Sequence, residues 1–378
     1  MDRKRGLSAI GAAARLALTL AIGTIGGALA HSVDLPVAWL LGATITVAAA
    51  SLSGVPILIP TQLRDATFFI LGIQAGSGVT PDVVHQLALW PLSFVIQMVG
   101  VACVAAATNV FLRRTFGWDR ETALFASLPG ALSFVLAAAS ETKADMTRII
   151  VVQSTRLLLL IGALTPLLGW LEGGDTINDG VRGGIIGSPL QYVLLIGSAL
   201  LLAWTGVRSR VPGGLILGAL LASAFMHGTE IAPVAIPGWI ATPALVVLGC
   251  TIGGRLRRED RNAMFQLLPA SLGAFAIGIT LSGLAGVVAL VLLSISFGKI
   301  ALAYAPGALE ALTVLAFQFD LDPAYVAAHH VVRFMCLAMI VPILARRLSR
   351  QRSEDSIIAR EAAPGADAHD TSDPDARR

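Results

Sequence analysis

A proline and a glycine stand side by side within an apolar stretch at Pro129 and Gly130, and the same break recurs far downstream at Pro306 and Gly307. The first stretch reads PGALSFVLAAASETKADMTRIIVVQSTRL and ends at Leu157; the second reads PGALEALTVLAFQFDLDPAYVAAHHVVRF and ends at Phe334. Without a gap, Asp145 falls on Asp322 and Arg156 on Arg333. Two further places keep nearly the same offset. Pro36-x3-Leu40-Leu41-Gly42-Ala43 matches Pro212-x3-Ile216-Leu217-Gly218-Ala219, and Leu71-Gly72-x3-Gly76 matches Leu248-Gly249-x3-Gly253. Three matches in one order at one spacing mark a tandem duplication. The unit is far too long for a solenoid repeat and has the size of half a transporter.

Composition states where such a unit can live. Of 378 residues, 55% are hydrophobic and 13% are charged, with mean hydropathy +0.77. A soluble domain carries about 25% charge, so the chain reads as a polytopic membrane protein. Its net charge of +3 belongs to loop arginines and does not point to nucleic acid. Cys103, Cys250 and Cys336 sit far apart in apolar runs and form neither a CxxC nor a metal-ligand spacing. Arg3, Lys4 and Arg5 precede an apolar run ending Ala28-Leu29-Ala30, which resembles a signal peptide. The run is long enough to span, and cutting it would remove the match to the second half. An uncleaved first helix is expected.

Spans need about 20 apolar residues. The first half offers 7–30, 35–53, a shorter one at 61–76, 87–112, a broken segment at 121–141, and 146–170. The second half offers 185–207, 211–227, 238–254, 264–288, a broken segment near 298–318, and 323–345. Residues 283–304 are more apolar than their counterpart around Arg113–Arg120 and leave room for a displaced crossing; Lys299 is the only charge there. Positive clusters lie at 3–5, 113–120, 208–210, 255–261 and 346–352. If each broken segment crosses fully, the halves are parallel and Arg208, Arg210, Arg255, Arg257, Arg258 and Arg261 all land outside. If it dips in and returns, the halves are inverted and every positive cluster lands in the cytoplasm. The Lys/Arg rule favours the second arrangement.

Pro-Gly in an apolar segment breaks a helix, because proline removes a donor and clashes one turn back. In lipid the freed backbone groups must be satisfied by protein or by water in a cavity. Two breaks at equivalent positions of two halves point to a transport site. Arg156 and Arg333 each lie ten residues into the following span, about 15 Å deep. A charge there costs at least about 2.5 kcal/mol and needs a partner. Glu310 is the expected partner of one arginine; its counterpart Ser133 cannot balance the other. The surplus positive charge predicts an anionic ligand. Gln153 and His330 stand three residues before each arginine, near it on one helix face. His329-His330 is a proton site or a packed neutral pair, and Glu310 a second proton-coupling candidate. Glu141, Lys143, Asp145 and Arg148, together with Asp320 and Asp322, read as helix caps at the water interface, and Arg64 with Asp65 as a solvated end.

The paired PG-A-L segments, each followed by a helix with a buried arginine, resemble the AbrB-type membrane protein family, as do LDPAYVAAHHVVR and the P-x3-LLG motifs. The resemblance covers about residues 10–346. The family is defined by a duplicated membrane domain and carries labels as a regulator of gene expression and as an ammonia monooxygenase. Ala131 and Ala308 replace the commoner second glycine. Ser133-Phe134 stands where relatives carry Ser-Glu, which leaves no acid in the first half. Neither label follows from the residues. A direct regulator needs a soluble basic module, and an oxygenase needs several His or carboxylate ligands. Of the six histidines only His329 and His330 lie inside a span, and neighbours on a helix point apart.

The expected fold is therefore an all-α polytopic membrane protein of two inverted repeats, with about ten transmembrane helices plus two broken re-entrant segments. The first repeat covers 1–171 and the second 185–347; 348–378 is expected to be a disordered cytoplasmic tail. The leading function is secondary transport of a small anionic solute across a bacterial inner membrane, with both termini cytoplasmic. A membrane sensor that regulates gene expression indirectly and a membrane monooxygenase are the alternatives. The expected binding residues are Pro129, Gly130, Ser133, Gln153, Arg156, Pro306, Gly307, Glu310, His330 and Arg333. No catalytic residue, metal or cofactor is expected. The partners are the lipid bilayer, a small solute and further copies of the chain, not nucleic acid.

Overall fold

The structure is a computed structural model. It describes residues 2–78, 90–171 except Ala131 and Glu141, 187–255 except Arg210, Pro212 and Ala235, and 261–361 except Ala308. Residues 172–182 and Arg257 and Arg258 thus lie outside the described residues. All the described elements are helices, in two sets of seven. The first set is α1 (Asp2–Ser32), α2 (Ala38–Ser53), α3 (Thr61–Gly76), α4 (Trp90–Phe116), α5 (Arg120–Ser127), α6 (Leu132–Ala139) and α7 (Met146–Leu171). The second is α8 (Pro189–Arg208), α9 (Gly214–Gly228), α10 (Gly238–Gly253), α11 (Arg261–Leu293), α12 (Phe297–Tyr304), α13 (Leu309–Gln318) and α14 (Pro323–Glu361). The starts of α3, α5, α6 and α7 precede those of α10, α12, α13 and α14 by one constant interval, the same that separates Pro129 from Pro306.

Among the described residues six helices are long and apolar enough to cross a membrane: Gly11–Ser32, Trp90–Phe116, Met146–Leu171, Pro189–Arg208, Arg261–Leu293 and Pro323–Val341. Ala38–Ser53, Gly214–Gly228, Gly238–Gly253 and Leu309–Gln318 are apolar but shorter. Residues 283–304 form no separate long helix. α11 runs on to Leu293, and α12 follows after a short turn. α14 continues to Glu361, because the Arg-, Glu- and Ile-rich stretch after 348 consists largely of good helix formers. α1 runs unbroken through Ala28–Ala30.

Sequence sets the ends of these helices. Asp119 caps α5 by accepting from Thr122 N at 2.8 Å. Asp145 accepts from Arg148 N at 3.1 Å and pairs with its side chain at the exposed start of α7. Asp322 caps α14 through Tyr325 N at 3.1 Å, with Pro323 in the first turn. Arg64 and Asp65 pair at 3.0 Å on a half-exposed end. Asp145 and Asp322 are caps and Arg64 with Asp65 is a solvated end, as the sequence reading expected; Glu141 lies outside the described residues.

Helices α1–α3 and α8–α10 pack as one group, and α4–α7 and α11–α14 as another. Within the first group the halves exchange neighbours. α3 packs along α9 and α10 packs along α2. The matched motifs explain this. A side chain on Gly72 would run into the Ile216 carbonyl, and one on Gly76 into that of Leu220. On Gly249 it would meet the Leu40 carbonyl, and on Gly253 that of Thr44. The glycine ladder of each half is thus seated on the LLGA-type helix of the other. Lipid supplies no hydrophobic drive between helices, so close backbone approach at small residues has to hold them. Ser223 adds an interhelical bond to the Ile73 carbonyl at 2.7 Å. In the second group, α4 meets α14 as α11 meets α7, again across the halves.

One core cluster draws Leu40, Leu71, Leu160, Leu248, Leu312 and Tyr325 from both halves. The outer surface is apolar as well: Leu194, Leu200, Leu201 and Trp204 on α8 and Leu284, Val291 and Leu292 on α11 are exposed. Apolar helices facing outward on this scale suit lipid and not water.

Gly72→Ala and Gly249→Ala should each lower stability by about 1–3 kcal/mol through overpacking. Gly162→Ala, where an added carbon meets nothing within 4 Å, should be neutral or slightly stabilising. Thermal unfolding of the three purified variants checks this; an equal loss at Gly162 would mean that close approach is not the cause.

Candidate functional site

Each break falls between a short helix and a half-helix: α5 and α6 flank Pro129-Gly130, and α12 and α13 flank Pro306-Gly307. Breaking the helix frees the carbonyls just before it. The long helix that closes each unit turns its polar side chains onto those carbonyls. On α7, Gln153 Nε2 donates to Phe125 O at 3.0 Å and Arg156 Nη2 to Leu128 O at 3.2 Å. On α14, His330 Nε2 donates to Leu302 O at 3.1 Å and Arg333 Nη1 to Ala305 O at 2.7 Å. Every donor and every acceptor in the first pair of bonds recurs at the equivalent position in the second. Gln153 and His330 do the same job, which explains why two such different residues share a position.

The two breaks come together. Gly130 has φ +85°, a conformation that side-chain-bearing residues avoid. A carbon added there would lie 3.7 Å from both Arg333 Nη2 and the Gly307 carbonyl oxygen. Arg333 also donates to Gly307 O at 2.9 Å and to His330 Nδ1 at 2.6 Å. A side chain on Gly307 would meet Leu160 and Leu312. The guanidiniums of Arg156 and Arg333, each only 3% exposed, lie close enough to act on one another electrostatically.

Among the described residues no carboxylate lies within ion-pair distance of either arginine. Glu310 does not compensate Arg333 as the sequence suggested. It is half-buried at the start of α13, and its charge acts on Arg255, just past the end of α10. Burial pushes the Arg255 guanidinium below its usual range, Glu310 opposes that, and Arg64 adds to it. The sequence reading failed here because adjacency to the break says nothing about the direction the first turn of α13 presents. Ala131 and Ala308 and the side chain of Ser133 lie outside the described residues. Pro129, Gly130, Gln153, Arg156, Pro306, Gly307, His330 and Arg333 are brought together.

A polar cluster beside the arginines was missed. His329 Nε2 meets Ser93 Oγ at 2.8 Å, and Ser93 Oγ also meets the hydroxyls of Tyr304 and Tyr325. It joins α4, α12 and α14. Two of the chain's three tyrosines are in it, which was the available signal. Among the described residues no three His, Cys, Asp or Glu come together as a metal-binding group.

The family described as "Transition state regulatory protein AbrB" matches residues 39–349. The chain belongs to the AbrB family. It is 26% identical over 340 residues to "Putative regulator AbrB" of Escherichia coli (strain K12), covering 88% of this chain and 94% of that protein. It is 23% identical over 304 residues to "Uncharacterized protein YhjN" of Bacillus subtilis (strain 168), covering 75% and 78%. The family match spans both breaks and both arginines, so the paired geometry belongs to the part of the chain that places it in the AbrB family.

Arg333→Gln strands the Ala305 and Gly307 carbonyls, at about 1–3 kcal/mol for each buried unsatisfied group. Each change removes an uncompensated buried charge, but Arg156→Gln strands only the Leu128 carbonyl. Arg333→Gln should therefore lower the unfolding temperature of the purified protein clearly more than Arg156→Gln; the reverse order would contradict this bonding.

Proposed function

We propose that this AbrB-family chain is an inner-membrane secondary transporter of a small anionic solute. The observation that carries the reading is the pair of uncompensated guanidiniums at two abutting helix breaks. Both arginines sit about 15 Å into their helices, where an unpaired charge is costly. Carbonyl oxygens satisfy some of their N–H groups but leave the two charges standing. A bound anion supplies the missing counter-charge. The N-termini of α6 and α13 begin at the breaks, and helix N-termini favour anions.

The transport reading includes two inverted repeats, about ten crossings, two re-entrant segments and both termini in the cytoplasm. The Lys/Arg bias of the loops supports it. So does the exchange of neighbours between the halves, which a two-fold relation produces. Arg64 at the start of α3 acts on Arg255 just past the end of α10, as expected when equivalent helices run oppositely. A cysteine placed at Gly174 should react with an impermeant thiol reagent in intact cells, and one at Ser209 should not, once Cys103, Cys250 and Cys336 are removed. The opposite labelling pattern would rule out the inverted arrangement.

The name of the Escherichia coli relative supports a second reading, a membrane sensor that binds the same anion without moving it. A thermal-shift panel of organic acids, inorganic anions and amines on the purified chain comes first. Anions should stabilise the wild type and not Arg156→Gln; stabilisation by amines alone would overturn the anion reading. Flux of the stabilising anion into proteoliposomes then separates carrier from sensor, since a sensor binds without flux.

A further inference from the structure

The two adjacent histidines of α14 are held in opposite ways. His330 Nε2 faces the Leu302 carbonyl oxygen, which can only accept, so Nε2 carries the proton. Its Nδ1 faces Arg333 Nη2 at 2.6 Å, which can only donate, so Nδ1 is bare. A second proton would have to enter between the ring and a guanidinium. His330 is locked neutral, as the amide Gln153 is at the equivalent position.

His329 is built differently. Its Nδ1 faces the Tyr325 carbonyl oxygen at 2.8 Å and must donate. Its Nε2 faces a hydroxyl, Ser93 Oγ, which can donate or accept. In the neutral ring, Ser93 donates to Nε2 and accepts from the Tyr325 hydroxyl. When a proton arrives on Nε2, Ser93 must accept there and turn its own hydrogen elsewhere. A second acceptor stands ready, because Tyr304 Oη lies 3.0 Å from Ser93 Oγ while its own hydrogen goes to the Ser93 carbonyl at 2.8 Å. In both protonation states every hydrogen of the cluster has an acceptor, and the only change is the rotation of one hydroxyl, which exchanges its bond to His329 Nε2 for one to Tyr304 Oη. At the duplication offset the counterpart of His329 is Val152 and that of Ser93 is Ala270, both buried, so the device exists once.

We propose that His329 is the proton-binding site of this protein, with Ser93 and Tyr304 as the positioning residues that let it gain and lose the proton, and that Glu310 is not that site. The ring of His329 is met by Tyr304 from α12, by Tyr325 on its own helix, and by Ser93 and the ring of Phe94 from α4, with His330 and Arg333 acting on it along α14; Lys299, Asp322 and the ring of Trp90 lie one residue further out, on Tyr325. Lys299 and Asp322 compensate each other at 3.1 Å. The charge that acts on the ring is Arg333, one turn along. An anion beside Arg333 offsets that repulsion, so proton and anion each favour the other by linkage. The proton's use as coupling ion rests on the transport reading; its binding to His329 does not.

The test is NMR of the full-length purified protein with isotope-labelled histidine, and no added ligand. His329→Asn and His330→Gln assign the two buried rings. On acidification from about pH 8 to the lowest pH at which the fold persists, His329 should pass from the Nδ1–H tautomer toward the doubly protonated ring while His330 stays Nε2–H. Tyr304→Phe keeps the ring packing but removes the waiting acceptor, so the titration should be lost or displaced by more than about one pH unit. The proposal is overturned if His329 stays neutral in the wild type, if His330 titrates instead, or if Tyr304→Phe titrates as the wild type does. None of these outcomes depends on whether an anion binds.

Discussion

A helix interrupted inside lipid exposes carbonyls that have no water to turn to. That constraint organises the second group of helices. At each Pro-Gly break the freed carbonyls are met by donors from the long helix that follows, Gln153 and Arg156 in one half and His330 and Arg333 in the other. The long helices are therefore tied to the breaks by polar bonds, and Gly130 of the first break lies against Arg333 and Gly307 of the second. Satisfying carbonyls with guanidiniums brings net positive charge into the centre of the protein. The same residues that make the interruption tolerable are the ones on which the proposed anion site rests.

Much of this was legible from residue identity at a fixed offset. Pro129 and Pro306, Arg156 and Arg333, and the glycine ladders matched because the same local structure is built twice. Depth in a span follows from counting, so the buried position of the arginines was also readable. What the chain does not write down is which helix lies opposite. Glu310 follows the second break immediately, yet its charge acts on Arg255, on the far side of α11 and α12 in sequence. Ser93 and His329 are 236 positions apart, and neither carries a mark of the other. The seat of Gly72 on α9 is likewise invisible in the sequence, although both motifs involved recur at the duplication offset.

The two halves differ where chemistry would differ. Their backbones and their break-bracing bonds correspond pair by pair, which is the structural part of the duplication. The titratable cluster around Ser93, Tyr304 and His329 has no counterpart in the first half. Duplication fixes a shape twice, and substitution on one copy then gives the shape a direction.

The exchange of α3 and α10 between halves has a consequence for synthesis. The glycine face of α3 leaves the ribosome well ahead of the Ile216 and Leu220 carbonyls that will cover it. At typical elongation rates the interval is on the order of ten seconds. During it the newborn first half sits in the bilayer with its narrowest, smoothest helix surface unclaimed. Maturation is thus a property of the whole polypeptide, and neither repeat can finish its own packing while the other is missing.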